Sequence, residues 1–284
     1  MLCLQAQGSG REALGFCRIG YDPVYAGMAG ASAVSTASGA YAAFGNVAML
    51  PLSDRKFDFA ASYQGWMPSS YRGNDVSFGV AGRAGRVGLA MAAAYDFFPE
   101  EPDLGVRERD LLVGLGVSVK VVDAFSIGIN GRYARQMFSS EYACGAFMGD
   151  LYISGRVKGF GYAAGVSSLG GNVVSGGTSY RLPASARLGL GYDAAFAQKH
   201  SLQVNVDGDY FIFSRAYSVA AGLQYGFGDI VFIRAGYRYG GASVIPSYAS
   251  VGIGFNIKGF HIDGSYRING VLRNTFSAGL GYRF

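Results

Sequence analysis

His261, Asp263 and Ser265 stand at i, i+2 and i+4, so on an extended chain a base, a carboxylate and a hydroxyl share one face. That is the residue set of a hydrolase, but the spacing is wrong for it. Side chains two residues apart on one strand sit roughly 7 Å apart, beyond the direct hydrogen bond that must link base to nucleophile. These three are expected to be structural polar residues. His200, beside Lys199, is expected at a solvated turn. Cys3, Cys17 and Cys144 have no metal-ligand spacing and define no disulfide framework. Gly159-Phe160-Gly161-Tyr162-Ala163-Ala164-Gly165 has the glycine content of a nucleotide loop but lacks the helix that must follow one. No catalytic residue, metal or cofactor is expected.

A second group carries charge. Arg187, Arg234, Arg238, Arg267 and Arg273 share the late part of the chain with Asp193, Asp207, Asp209 and Asp263. Paired charges of this kind can anchor an internal segment; alternatively, they offer a surface to an incoming peptide or polar ligand. The net charge is +5, and no basic run is interleaved with aromatics, which excludes nucleic acid as a partner.

The elements that position these residues are strands. Of 284 residues 45 are glycine, 20 tyrosine and 20 phenylalanine, with 15% charged and a mean hydropathy of +0.20. No run of 18 or more uncharged apolar residues occurs, which excludes membrane-spanning helices. Instead apolar and small or polar residues alternate from Lys56 to the end. Val251, Ile253, Phe255 and Ile257 alternate with Ser250, Gly252, Gly254 and Asn256. Fourteen strands are expected, near 56–66, 74–83, 86–97, 108–120, 124–136, 145–156, 159–169, 182–193, 200–211, 216–227, 229–240, 248–258, 260–269 and 272–284. That is an even number, as a bacterial transmembrane barrel requires. The apolar set must face lipid, where a charge costs about 2–4 kcal/mol at mid-depth.

The connectors fall on two rims. Ala84-Gly85, Val122-Asp123, Lys158-Gly159, Gly228-Asp229 and Lys258-Gly259 are tight, whereas the intervening connectors are generally longer. Short periplasmic turns and longer outer loops give this pattern, and it places both termini in the periplasm of a bacterial outer membrane. Trp66, at the outer end of the first strand, is expected in the interfacial belt.

Many inward positions are small, among them Gly114, Gly128, Gly189, Gly222 and Gly252, which leaves room in the lumen. Residues 9–55, with no clean period of their own, are expected to fill it as a plug, and 56–284 to form the barrel. Residues 1–8 look like the remnant of a signal peptide. At the other end Phe276, Ala278, Leu280, Tyr282 and Phe284 share one face. With Gly279, Tyr282 and Phe284 in place, this terminus resembles the insertion signal of bacterial outer-membrane barrels. The resemblance implies as partners the barrel-insertion machinery and outer-membrane lipid, including lipopolysaccharide.

Ala26-Gly27-Met28-Ala29-Gly30-Ala31, followed by Asn46-Val47-Ala48-Met49-Leu50, resembles the hatch of FadL-type barrels, with Val47 where the pattern usually has proline. Gly27, Met28, Gly30, Ala31, Asn46, Ala48 and Leu50 carry that motif. Ser62-Tyr63-Gln64-Gly65-Trp66-Met67, Leu182 to Tyr192, and Ala221-Gly222-Leu223-Gln224-Tyr225 with Ile233 to Arg238 are similar to segments of the PorV/PorQ group of Bacteroidota, although the outer loops are short for a PorV. That resemblance implies a non-catalytic component of the type IX secretion system. It would bind secreted cargo or envelope-complex subunits through lumen residues such as Arg187, Asp207, Asp209, Arg234, Arg238, Asp263 and Arg267. The alternative is a FadL-like channel for small hydrophobic molecules. Such a channel needs an apolar pocket and a strand kink, and a hatch made mostly of Ala, Gly and Ser is expected to offer little apolar lining.

Overall fold

The computed structural model describes residues 12–67, 73–100, 107–139, 143–175, 177–197, 199–240, 245–269 and 274–284. The expected signal remnant 1–8, Cys3 and Arg273 lie outside the described residues.

Alternation becomes strand wherever it was read. In chain order the strands are β1 (Phe57–Trp66), β2 (Asn74–Ala84), β3 (Val87–Phe97), β4 (Arg109–Val122), β5 (Phe125–Met137), β6 (Ala143–Val157), β7 (Phe160–Leu169), β8 (Val173–Ser175), β9 (Thr178–Tyr180), β10 (Ser185–Phe196), β11 (His200–Phe211), β12 (Ala216–Phe227), β13 (Val231–Gly240), β14 (Tyr248–Ile257), β15 (Phe260–Ile268) and β16 (Thr275–Arg283). Fourteen of them close an antiparallel barrel; β8 and β9 form a separate hairpin inside the connection from β7 to β10. That hairpin was not expected. β10 also begins at Ser185 rather than at 182, because Pro183 has no N–H to give a ladder.

Closure is made by the two ends of the alternating region. β1 pairs with β16 from Asp58 opposite Arg283 to Trp66 opposite Thr275. The Phe284 carbonyl accepts from the N–H groups of Lys56 and Phe57 at 2.7 and 3.0 Å. On the short-turn rim, Lys158-Gly159, Gly228-Asp229 and Lys258-Gly259 each hold two consecutive positive φ angles. Such a pair twists a two-residue turn in the sense its strands need.

The apolar set faces outward, as lipid requires: Leu115, Leu190, Ile233, Ile262 and Leu280 are all exposed. Aromatic rings gather at both ends of this band. Phe57 stacks on Phe284, and Phe260 packs on Tyr282, at the short-turn end; Tyr63 meets Phe276 at the other. His200 belongs to the first belt. It stacks on Phe196 and bonds the Tyr225 hydroxyl at 2.5 Å, so it is packed among rings rather than solvated. Trp66 does the reverse of what was expected. It has the parity of Ser62 and Gln64, points inward, and donates from Nε1 to Asp75 at 3.1 Å.

Candidate functional site

The lumen is occupied by the N-terminal segment, which is held mainly through its own backbone. Asp22 caps the single-turn helix α1 (Pro23–Ala26), accepting from the Val24 N–H at 2.9 Å. The small-residue motif then runs against wall positions that have no side chain. A Cβ on Gly252 would meet Gly27 at 3.1 Å, one on Gly222 would meet Met28 and Ala31, and one on Gly128 would meet Val47 and Ala48. Gly30 itself needs glycine, since its φ is +77°.

Wall side chains take up the backbone groups that this close packing would otherwise orphan. Asp207 accepts from the N–H groups of Ser32 and Ala33 at 2.8 and 2.9 Å. Arg238 donates to the carbonyls of Ala29 and Gly30, Ser250 to Gly27, and Arg267 to Gly20. Asn46 caps the 3-10 turn Val47–Leu52 through the Ala48 N–H and reaches Ser154 with its amide nitrogen. Leu50 packs over Gly39 and Gly88. Every residue of the hatch motif thus contacts either the wall or the segment's own turns.

The charged residues have overlapping roles. Asp207, Arg238 and Arg267 hold the hatch, as above. Arg234 and Asp263 pair at 2.6 Å deep in the wall, where His261 joins them. His261 does reach Asp263, at 2.8 Å, contrary to the strand-spacing expectation, because both side chains lean along the strand. Ser265 bonds Ser277 instead, so no base–nucleophile pair forms. Arg187 and Arg238 share Asp209, at 2.5 and 2.8 Å. On the early strands, which the sequence reading passed over, Arg132 pairs with Asp150 at 2.6 Å, and Asp75, Asp96 and Asp110 stand opposite one another on β2, β3 and β4. A charged residue at the same inward phase of successive strands was the signal for them.

Beside the hatch lies a cavity of about 1080 Å³. Its lining includes Phe98, Phe138 and Ile245 at the long-loop rim and Lys56 and Arg83 at the short-turn rim. Its apolar and aromatic lining includes Phe16, Ile19, Tyr21, Tyr41, Phe44 and Phe211. This corrects the expectation of scant apolar lining. The lining comes from residues that precede the small-residue motif and from strand ends, not from the motif. Of the arginines that reach the cavity, Arg18 pairs with Glu12, Arg132 with Asp150, and Arg187 and Arg238 with Asp209, while Arg55 and Arg267 donate to backbone carbonyls and Arg83 has no ion-pair partner among the described residues. Cys17 also lines it; burial pushes the thiol up to about 12 and leaves it unreactive at neutral pH. Cys17 and Cys144 are both buried, and neither is in a disulfide among the described residues.

The described part of the hatch begins at the long-loop rim. Glu12 bridges Arg181 in the connection from β7 to β10 and accepts from Ser214 at 2.8 Å. The first described residues therefore lie at the long-loop rim, while Phe284 lies at the short-turn rim. The wall is also interrupted nearby. Ser168, with φ +56°, and a register shift opposite Gly149 and Leu151 bulge β7 out of phase. Beyond Gly149, residues 143–148 of β6 have no β7 partner. The connection carrying β8 and β9 covers this interruption, with Val173, Tyr180 and Leu182 packed on Ala13, Leu14 and Cys17.

Similar folds occur among solved structures. The Pseudomonas putida toluene transporter TodX matches with a TM-score of 0.67 at 13% identity, covering 93% of this chain and 98% of that one. The Ralstonia pickettii toluene transporter TbuX matches at 0.64 and 12%, covering 93% and 98%. A Pseudomonas aeruginosa FadL homologue matches at 0.63 and 11%, covering 92% and 98%. The fold is FadL-like. No protein-family model and no curated protein sequence matches the chain.

Asp22 makes the hatch sensitive to pH. Burial raises its carboxyl from the ordinary range to about 6. The docked hatch thus binds this proton more tightly than a released hatch, whose Asp22 would titrate near ~3.9. Docking is strongest below that value, weakens as pH rises to about 6, and is constant above it as far as Asp22 is concerned. Amide exchange across 23–48, corrected for intrinsic rates, is expected to be severalfold faster at pH 7.5 than at pH 5. Asp22→Asn should remove the difference; a difference that survives in Asp22→Asn assigns the effect elsewhere.

Proposed function

We propose that this protein is an outer-membrane channel through which small, uncharged, hydrophobic molecules pass without chemical change. The observation that carries the reading is the aromatic lining of the cavity beside the hatch, where Arg18, Arg132, Arg187 and Arg238 are already ion-paired within the protein. A lumen for ions or sugars needs polar groups free to bind solute. Here four of the arginines are ion-paired internally and the larger part of the lining is apolar, which suits a ligand that gains by leaving water. The volume is that of a small-molecule site.

The interruption beside β7 supplies the strand irregularity that such a channel needs, with the connection carrying β8 and β9 as its cover. Once that cover moves aside, a hydrophobic molecule has reason to leave there, sideways into lipid, rather than through the short-turn rim into water. The solved relatives described as toluene transporters support this reading by fold alone. The secretion-component reading rests on short glycine-rich segments, none of which the cavity explains.

Native mass spectrometry of the protein in nanodiscs, equilibrated with a small aromatic hydrocarbon and then with a polar analogue of equal size, tests the proposal. Retention of the hydrocarbon alone is expected. It should fall about tenfold, or by ~1.4 kcal/mol, in Phe44→Asp, which places an unpaired carboxylate against the ligand. Absence of hydrocarbon binding, with envelope subunits co-isolating from native membranes, would instead favour the secretion reading.

A further inference from the structure

Among the described residues, the barrel strands carry their Asp, Glu, Lys and Arg side chains inward with two exceptions, Arg109 on β4 and Arg135 on β5. The two exceptions are neighbours. Arg109 pairs with Met137 and Leu111 with Arg135, so the arginines are diagonal partners on the same outward face, about 7–8 Å apart. Both are exposed. Neither makes a hydrogen bond or an ion pair among the described residues, and no acidic residue takes an outward position on β3, β4, β5 or β6. Arg107, one outward step above Arg109, is also exposed and spends only its Nε on the Phe98 carbonyl.

Two like charges side by side, with no counter-ion among the described residues, are unfavourable on a sheet, and more so beside lipid. Their height is informative. Arg135 stands one outward step beyond Tyr133, whose ring meets that of Phe147 at 4.8 Å in the belt at the long-loop end. The guanidinium groups are therefore at headgroup depth, not in the hydrocarbon.

The surface below them is shaped. Phe147 is the most exposed of the large hydrophobic side chains, at 78%. Beneath it Gly131 and Gly149 face each other across β5 and β6, and the outward direction at Gly131 is open. Rings above and Leu115, Ile129 and Leu151 around and below surround the gap that the two glycines leave.

We propose that this patch is a binding site for a phosphorylated glycolipid of the outer leaflet, of the lipid A type. Its phosphates lie between Arg109 and Arg135, with Arg107 above, and one acyl chain lies in the Gly131–Gly149 gap. Guanidinium pairs phosphate in a fork geometry that suits this role better than ammonium. The site takes the long-loop rim as the cell exterior and is independent of what passes through the lumen. Its effect is to fix the rotation and depth of the barrel beside the interrupted wall.

The test uses the full chain in phosphatidylcholine nanodiscs containing bisphosphoryl lipid A, monophosphoryl lipid A or phosphatidylglycerol, with bound lipid counted by native mass spectrometry. Bisphosphoryl lipid A should be retained at least tenfold over phosphatidylglycerol. Arg109→Gln/Arg135→Gln should lose that preference while keeping heat-modifiable mobility on a gel. Arg109→Lys/Arg135→Lys, which preserves charge and so guards against misfolding of the Gln pair, should retain lipid A more weakly and lose it as salt rises. Inorganic phosphate at millimolar concentration should not displace the lipid. Equal retention of phosphatidylglycerol, unchanged retention in the Gln variant, or displacement by phosphate alone would each overturn the proposal.

Discussion

Removal of Tyr282–Phe284 is expected to leave synthesis intact and abolish membrane insertion. These residues close the barrel: Tyr282 stands between Phe59 of β1 and Phe260 of β15, and Arg283 between Asp58 and the turn before β15, donating its N–H to the Gly259 carbonyl at 2.9 Å. Phe284 adds three backbone bonds, two into its carbonyl and one from its N–H to Phe57 at 3.1 Å. Without them the facing groups of β1 and β15 meet hydrocarbon, and each unsatisfied group there costs several kcal/mol. A handful of such groups exceeds the ~5–15 kcal/mol by which a folded protein is ordinarily stable. The truncated chain should run at its fully unfolded position on unheated gels and be cleaved by protease. A heat-modifiable, protected truncated barrel would show that the seam closes by other means.

The second large effect is expected from the inward glycines. A Cβ at Gly236 would lie 2.4 Å from the Met28 carbonyl carbon and 2.7 Å from the Ala29 nitrogen. Those are backbone atoms, fixed in turn by Ser250, Arg238 and Tyr248, so they cannot step aside as a side chain can. Gly236→Leu should expel 26–33 from its seat while the outward face, and hence insertion, stays intact. Single-channel conductance in planar bilayers should rise at least tenfold, and cells should admit large polar antibiotics. Gly208→Leu is the control, since the outward direction there is open. An unchanged conductance in Gly236→Leu would mean that this contact does not hold the hatch shut.

The barrel was legible because alternation against lipid is a hard constraint. β12 begins and ends where its alternation does, and the tight turns at Lys158, Gly228 and Lys258 were marked by their residues. The hatch was legible for a related reason: Gly128, Gly222 and Gly252 sit inward on strands that otherwise carry polar side chains there, so something with a bare backbone must approach them. The site was much less so. Its aromatic lining comes from Phe16, Tyr21, Phe44, Phe98 and Phe211, which are far apart in the chain and sit in turns or at strand ends, where no period marks a face. Trp66 was misplaced because tryptophan favours interfaces in general, although parity with Gln64 pointed it inward. Its indole N–H finds a partner in Asp75 there, which an outward position would not give. His200 was taken as solvated from its polar neighbour Lys199, whereas the ring partners are Phe196, Tyr225 and Phe227. The path of the hatch from the long-loop rim was invisible, because it depends on Glu12 meeting Arg181 and Ser214.

The central claim is that the cavity beside the hatch carries hydrophobic molecules across the outer membrane. Uptake of a radiolabelled small aromatic hydrocarbon by cells producing this protein, against cells producing the Phe44→Asp variant at equal surface level, tests it most directly. Initial rates should exceed those of cells without the protein severalfold. The variant should return to the background, and a labelled sugar of similar mass should be taken up equally by all three. Equal hydrocarbon uptake by the three strains, with the barrel correctly inserted, would contradict the account.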